Sequence, residues 1–269
     1  MPPTGATEDA VWRRFAAECR WVVIAGRPTT LTGVIRAVLF DWGDTLMQWT
    51  WDEGLIEVGH RAGLAEIGRE DVTITEHFSE HYWPLFWVPG SMEEVEYPGL
   101  VRKLLGDFEI EVTDEELGRF LEAEHATWAP ARQLGSTTHA LLEALRSRGI
   151  RLGLVSNAFD PGWLLRRDLD QMGVGERIDY AVFSSEVGKR KPHPDIFRRA
   201  LDALGVAPEE ALFVGDRLYE DVRGAGELGM TTVQALWFRA DEHPDGGEPD
   251  FQAFTQMDVL NVVRRINHG

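Results

Sequence analysis

From Ser136 to Leu236 the sequence alternates short β-forming apolar runs with amphipathic stretches, a pattern that restricts the chain to a parallel sheet covered by helices. The spacing predicts helices over 137–148, 161–172, 194–204 and 219–229, with strands over 150–156, 179–183, 210–215 and 231–236. An earlier strand is expected over 35–40, because those mostly apolar residues run directly into the polar turn Asp41-Trp42-Gly43-Asp44-Thr45. Residues 49–129 carry helical periodicity instead, over 52–67, 74–87 and 95–108. A further helix starts at Thr113, where Glu116 three positions on completes a capping-box spacing. The expected fold is therefore α/β: a doubly wound, Rossmann-like parallel sheet over 34–48 and 130–269, with an inserted helical module over 49–129.

Residues 1–33 are set apart as an N-terminal extension. They open and close in Pro, Thr and Gly around a possible amphipathic helix through Val11, Trp12, Phe15, Ala16 and Cys19, and no task is assigned to them. Lys plus Arg number 27 against 45 Asp plus Glu, a net charge of −18, so nucleic acid is not an expected partner. An anionic substrate would need a local cation to reach such a protein. Cys19 is the single cysteine, which excludes an intramolecular disulfide or a cysteine metal cluster. The apolar runs are strand-sized and the N-terminus is charged, so neither membrane segment nor export signal is expected and the location expected is cytoplasmic. The oligomeric state is not legible.

In an open parallel sheet, ligands bind at the carboxyl ends of the strands, so the polar residues that follow apolar runs carry the chemistry. Four such points occur: Asp41 after Phe40; Ser156 and Asn157 after Val155; Lys191 within Gly188 to Pro194; and Asp216 after Gly215, with Asp221 five residues on. Together they supply a nucleophilic carboxylate, further carboxylates for a hard cation such as Mg²⁺, and a hydroxyl and an ammonium for phosphoryl oxygens.

These strings, Phe40-Asp41-Trp42-Gly43-Asp44-Thr45-Leu46, Val155-Ser156-Asn157, Gly188 to Pro194, and Val214-Gly215-Asp216 with Asp221 and Gly224-Ala225, resemble the four ordered motifs of the haloacid dehalogenase-like superfamily. The resemblance spans most of residues 35–236. It implies a phosphohydrolase in which Asp41 forms an aspartyl-phosphate, and Mg²⁺ is held by Asp41, Asp216 and the Gly43 carbonyl, with Asp221 assisting. It also implies that Ser156 and Lys191 hold the phosphoryl group, with Thr45 and Asn157 joining them in substrate binding. The helical insert then resembles the cap that closes such sites, and the substrate expected is a small phosphate monoester.

One position departs from the family. Its phosphatases carry an acid–base aspartate two residues after the nucleophile, where this chain has Gly43; Asp44 follows one place later. Asp44 either supplies the missing acid–base group or bonds its own loop backbone, and both readings stand. Two other functions compete: a weakly active or non-catalytic relative that binds a phospho-ligand, and a 2-haloacid dehalogenase, against which the carboxylates Asp216 and Asp221 argue. His60, His77 and His81 are read as packed or solvated helix residues rather than metal ligands. The rings of Trp49, Trp51, Tyr82, Trp83, Phe86, Trp87 and Trp128 are read as core of the insert, the alternative being that some line a pocket for a flat or apolar leaving group.

Overall fold

The computed structural model describes residues 34–50, 52 and 54–268, together with a two-residue strand, β1 (Val22–Val23). The readings of the remainder of residues 1–33, including Cys19 and its amphipathic stretch, and of Trp51 fall outside the described residues. The expected first strand is β2 (Ala37–Phe40), all four residues buried. A short strand, β3 (Met47–Trp49), leads out of the sheet into the insert.

Four helices make the insert: α1 (Gly54–Glu66), α2 (Thr75–His81), α3 (Tyr97–Gly106) and α4 (Asp114–Thr127). The capping box at the start of α4 is present, with Thr113 accepting from the Glu116 backbone N–H and Glu116 accepting from that of Thr113. The helix expected over 74–87 is broken. It stops at Tyr82 and resumes as a 3₁₀ turn over Trp83–Trp87, because Pro84 cannot donate to the preceding turn. The insert has its own core, built on Leu64, Phe78, Tyr97, Leu104 and Phe120. It returns to the sheet through β4 (Arg132–Leu134), which pairs antiparallel with β3, so the outgoing and incoming connections form one two-stranded ribbon.

The alternation then runs α5 (Thr138–Arg146), β5 (Arg151–Ser156), α6 (Gly162–Gln171), β6 (Tyr180–Phe183), α7 (Ser184–Val187) and α8 (Pro194–Leu204). After β7 (Ala211–Gly215) comes a π-helical turn over Leu218–Arg223 and a short α9 (Gly224–Glu227), where one continuous helix over 219–229 was expected. β8 (Thr231–Ala235), β9 (Phe251–Ala253) and α10 (Asp258–His268) complete the described chain; the last two elements were not anticipated.

Strand order is β1-β9-β8-β7-β2-β5-β6, with every pairing parallel except β1 with β9. Alternate strand residues point to opposite faces. Val38, Phe40, Leu212 and Val214 pack with helices α5, α6 and α10, whereas Ala37, Leu39 and Phe213 pack with α8. The sheet is therefore doubly wound, with an inserted α-helical cap. The chain leaves β2 toward β5 and β6, then returns to its other side at β7, so the order reverses at β2. A crevice opens above the carboxyl end of that strand.

Candidate active site

The nucleophile expected from the sequence, Asp41, stands at that reversal, on the first residue after β2. Its backbone N–H still donates to the Val214 carbonyl (2.9 Å), which holds it in the sheet while its side chain enters the crevice. Lys191 is brought over it by the segment between α7 and α8. Its Nζ lies 2.6 Å from Asp41 Oδ1 and 2.7 Å from Asp221 Oδ1, and all three residues are buried. Burial alone would lower the ammonium, but the carboxylates of Asp221 and Asp41 outweigh it and hold Lys191 above the ordinary lysine range.

Asp216 is the first residue after β7 and Asp221 sits on the π-helical turn, a device that recurs at functional sites. The turn folds Asp221 back against Gly215. A Cβ on Gly215 would lie 2.3 Å from the Asp221 carboxylate, so only glycine admits this approach. The Arg217 backbone N–H donates to Asp221 Oδ2 at 2.9 Å. Carboxylate oxygens of Asp41, Asp216 and Asp221 all fall within 4.8 Å of one another. Burial, then the neighbouring Asp221 and Asp41 charges, push Asp216 well above the usual carboxylate range; burial pushes Asp221 up against the opposing pull of Lys191.

Three clustered carboxylates of this kind suit a hard divalent cation. Both Asp216 oxygens are buried without a hydrogen bond. Arg239, following β8, brings Nε to 2.5 Å from Asp216 Oδ2, but off the hydrogen-bonding direction, so the contact neutralises charge without satisfying the oxygen. Orphaned oxygens facing two further acids fit Mg²⁺.

Two cavities meet at the loop after Asp41, and Asp41 itself lines the smaller. The smaller, about 200 Å³, is walled by Asp41, Ser156, Lys191, Arg190 and Arg217, and the larger, about 510 Å³, by tryptophans and Phe159. Gly43, Asp44, Ser156 and Asn157 line both. Asn157 is less available than expected: its Oδ1 accepts from the Lys191 N–H (2.7 Å) and its Nδ2 donates to the Lys191 carbonyl (3.2 Å), so it positions the lysine. Thr45 lines neither cavity. It is fully buried behind the loop, with its carbonyl accepting from Trp237 Nε1 and Gln256 Nε2.

Asp44 adopts the left-handed conformation (φ 56°), which Asp tolerates better than most residues. Its Oδ1 accepts from the Trp49 N–H at 3.1 Å and its Oδ2 lies 3.8 Å from Arg239. The loop-bonding reading is thus realised, while the same carboxylate also faces both cavities. At Gly43 a Cβ would meet nothing within 4 Å, so the position that the family fills with an acid is open space here.

The haloacid dehalogenase-like hydrolase family matches residues 35–229 of this chain. The chain belongs to that family. As an enzyme of the haloacid dehalogenase-like hydrolases, it is 30% identical over 240 residues to a glyceraldehyde 3-phosphate phosphatase of Methanopyrus kandleri, covering 87% of this chain and 99% of the relative. It is 33% identical over 185 residues to a phosphoserine phosphatase of Thermus thermophilus, covering 67% and 72%. A solved haloacid dehalogenase-like phosphatase of Thermococcus onnurineus superposes with a TM-score of 0.58 at 25% identity, over 85% of this chain and 98% of that one.

Sequence reasoning missed Arg239 and Arg217. Arg239 follows strand β8 as the other site residues follow theirs, so the same strand-end rule would have found it. It also missed a buried network where insert meets core. His125 of α4 donates to Asp160 (3.0 Å) and to Asp168 of α6 (2.8 Å), and Arg132 pairs with Asp168 at 2.5 Å. Burial alone would lower His125, but Asp160 and Asp168 prevail and raise it to about 8. The histidines singled out in the sequence are packed or solvated: His60 is in the core, while His77 is half-buried and bonds Asp107 and His81 is exposed. His60 is buried against Phe78 and lowered to about 4 by burial, and His77 stacks on His81. His60 also lies 3.5 Å from Glu124, an ion-pair distance, yet burial raises Glu124 to about 8, so the neutral pair is favoured.

Proposed function

We propose that this hydrolase cleaves a small organic phosphate monoester through an aspartyl-phosphate on Asp41, with Mg²⁺ as cofactor. The observation that carries the reading is the Lys191 ammonium bridging Asp41 and Asp221 beside the orphaned oxygens of Asp216. An ammonium set among three carboxylates is a place where a hard cation, and with it a phosphate dianion, would be accommodated inside a chain of net charge −18. The phosphatase relatives support the same class. Asp41, Asp216 and Asp221, with the Gly43 carbonyl, would hold Mg²⁺. When bound, it supplies charge neutralisation for the approach of a phosphate dianion.

In the proposed course, an Asp41 oxygen forms a bond to phosphorus as the ester P–O bond breaks, and the departing oxygen takes a proton from Asp44. Lys191, the Ser156 hydroxyl and Arg217 hold the phosphoryl oxygens. Water then attacks phosphorus, Asp44 takes back a proton, and the P–O bond to Asp41 breaks, releasing phosphate and restoring the enzyme. Asp44 is assigned the proton because it lines both cavities on the same loop as Asp41 and, among the described residues, only a backbone N–H hydrogen-bonds its carboxylate, whereas Glu220, Asp160 and Asp168 are held by the charged side chains of Arg217, His125 and Arg132.

A cytoplasmic location goes with this reading; no described helix is long and apolar enough to cross a membrane. The test is phosphate release from a panel of phosphate esters, with Mg²⁺ and after chelation. The parent should turn over only with the metal, and Asp41→Asn should release none while retaining its far-ultraviolet circular dichroism. Activity surviving in Asp41→Asn sinks the mechanism, and halide release from 2-haloacids without metal would favour the dehalogenase instead.

A further inference from the structure

The larger cavity says more about the substrate than the nucleophile does. Five of the chain's ten tryptophans line it, Trp42, Trp49, Trp83, Trp87 and Trp128, and Phe159 closes the remaining side. Trp83 and Trp87 meet edge-to-face with centroids 5.9 Å apart, as do Trp128 and Phe159 at 6.1 Å. The insert supplies Trp83, Trp87 and Trp128, while Trp42 and Phe159 come from loops that follow β2 and β5, so the rings surround the space from both bodies. Trp87 is 57% exposed, at the mouth, whereas Trp42 and Trp128 are buried. The chamber opens onto the phosphoryl site through Gly43, which contributes no side chain where a Cβ would still meet nothing within 4 Å.

At about 510 Å³ the chamber falls in the range of pockets that enclose ligands much larger than a three-carbon phosphate. Of its polar lining, Asp44, Ser156, Asn157 and Arg217 are shared with the phosphoryl cavity and Arg239 faces Asp216, while Arg132, Asp160 and Asp168 are engaged with one another and with His125. Arg132 Nε, buried without a protein partner, leaves one donor there. A leaving group that reaches beyond the end shared with the phosphoryl cavity meets mainly ring faces, where hydroxyls or an ammonium go unpaired and an aromatic ring gains edge-to-face and stacked contacts.

We infer that the substrate's leaving group carries a flat aromatic ring, bound among Trp49, Trp83, Trp87, Trp128 and Phe159, with its phosphate on Asp41. The inference rests on the phosphatase reading proposed above and specifies its substrate class. The ring would be linked through an alcohol or phenol oxygen, and one acceptor on its far edge would face Arg132.

The experiment compares kcat/KM, with Mg²⁺, for 2-(indol-3-yl)ethyl phosphate, butyl phosphate and glycerol 3-phosphate, whose leaving alcohols are similar primary alcohols. The indolyl ester should exceed butyl phosphate by at least about 10-fold, the value of one or two aromatic pairs. Trp83→Leu and the mouth variant Trp87→Ala should each pull that ratio toward one; Trp87→Ala, at an exposed position, keeps the test valid should Trp83→Leu unfold. A ratio near or below one in the parent overturns the inference and leaves the phosphatase reading standing. Should no ester be hydrolysed, that reading fails and the inference is still decided by binding. Quenching of tryptophan fluorescence in Asp41→Asn should then show the indolyl ester binding at least about 10-fold more tightly than butyl phosphate, and equal affinities overturn it.

Discussion

Asp41 and Asp44 sit three residues apart on one loop, and their surroundings push them to different tasks. Asp41 faces the Lys191 ammonium and, among the described residues, no backbone N–H donates to its carboxylate, so its second oxygen is left for phosphorus. Asp44 is anchored by the Trp49 N–H and leans toward Arg239. An asparagine there keeps the amide bond through its own carbonyl oxygen but cannot exchange a proton, so Asp44→Asn separates anchoring from catalysis. We expect kcat for alkyl phosphates to fall about 10²-fold with little change in thermal stability, the loss being smaller for aryl esters whose leaving oxygen needs less protonation. Steady-state kinetics on a paired alkyl and aryl ester checks it. Because Gly43 faces open space, exchanging the pair (Gly43→Asp with Asp44→Gly) should fold normally and recover much of the lost alkyl-ester turnover.

At the scale of elements, the passage from β7 into the π-helical turn builds the cation site. The Val222 N–H reaches the Arg217 carbonyl at 3.2 Å, and the extra residue in the turn sets Asp221 inward beneath Lys191. Gly215→Ala would place a methyl within 2.3 Å of the Asp221 carboxylate, which is fully buried and has no room to retreat. Displacing it by even an ångström should cost about 10²-fold in kcat/KM, with a weakened response to Mg²⁺, in a protein that still folds. Turnover titrated against Mg²⁺ measures both effects. The helix over Tyr97–Gly106 shows the opposite, purely structural use of local chemistry: Glu96 caps it by accepting from the Gly99 N–H, and Pro98 fits its first turn.

For the whole molecule, the junction of insert and core is an ionic one. His125 rises from 6.5 to about 8 because two buried carboxylates face it, so the folded protein holds its proton more tightly than the unfolded chain. The associated stability, about 2 kcal/mol, is fully present below pH 6.5 and is lost as pH climbs through about 8. Glu124, raised from 4.5 to about 8 chiefly by burial, keeps its proton when folded, so its contribution falls with pH from about 4.5 up to about 8, a span that includes the His125 window. Urea midpoints should therefore fall between pH 6.5 and 8, and His125→Asn should both lower the midpoint at pH 6.5 and flatten its dependence on pH.

The strand and helix periods, and the polar residues placed where strands end, were enough to determine the doubly wound sheet, the helical insert and the candidate residues Asp41, Ser156, Lys191, Asp216 and Asp221. These depend on local spacing, which a chain carries in its own order. Only the tertiary structure decided what depends on segments far apart. The Lys191 bridge spans 150 residues to Asp41, and the His125 network joins a helix of the insert to the core across 35 and 43. It also sorted the aromatic residues, which look alike along the chain: Tyr82 went to the core of the insert, Phe86 to that core and the wall of the smaller cavity, Trp83 to the edge of the core and the chamber, and Trp87 and Trp128 to the chamber. Periodicity shows that a ring belongs to a packed face, but whether that face meets another helix or a cavity is set by the body that folds against it.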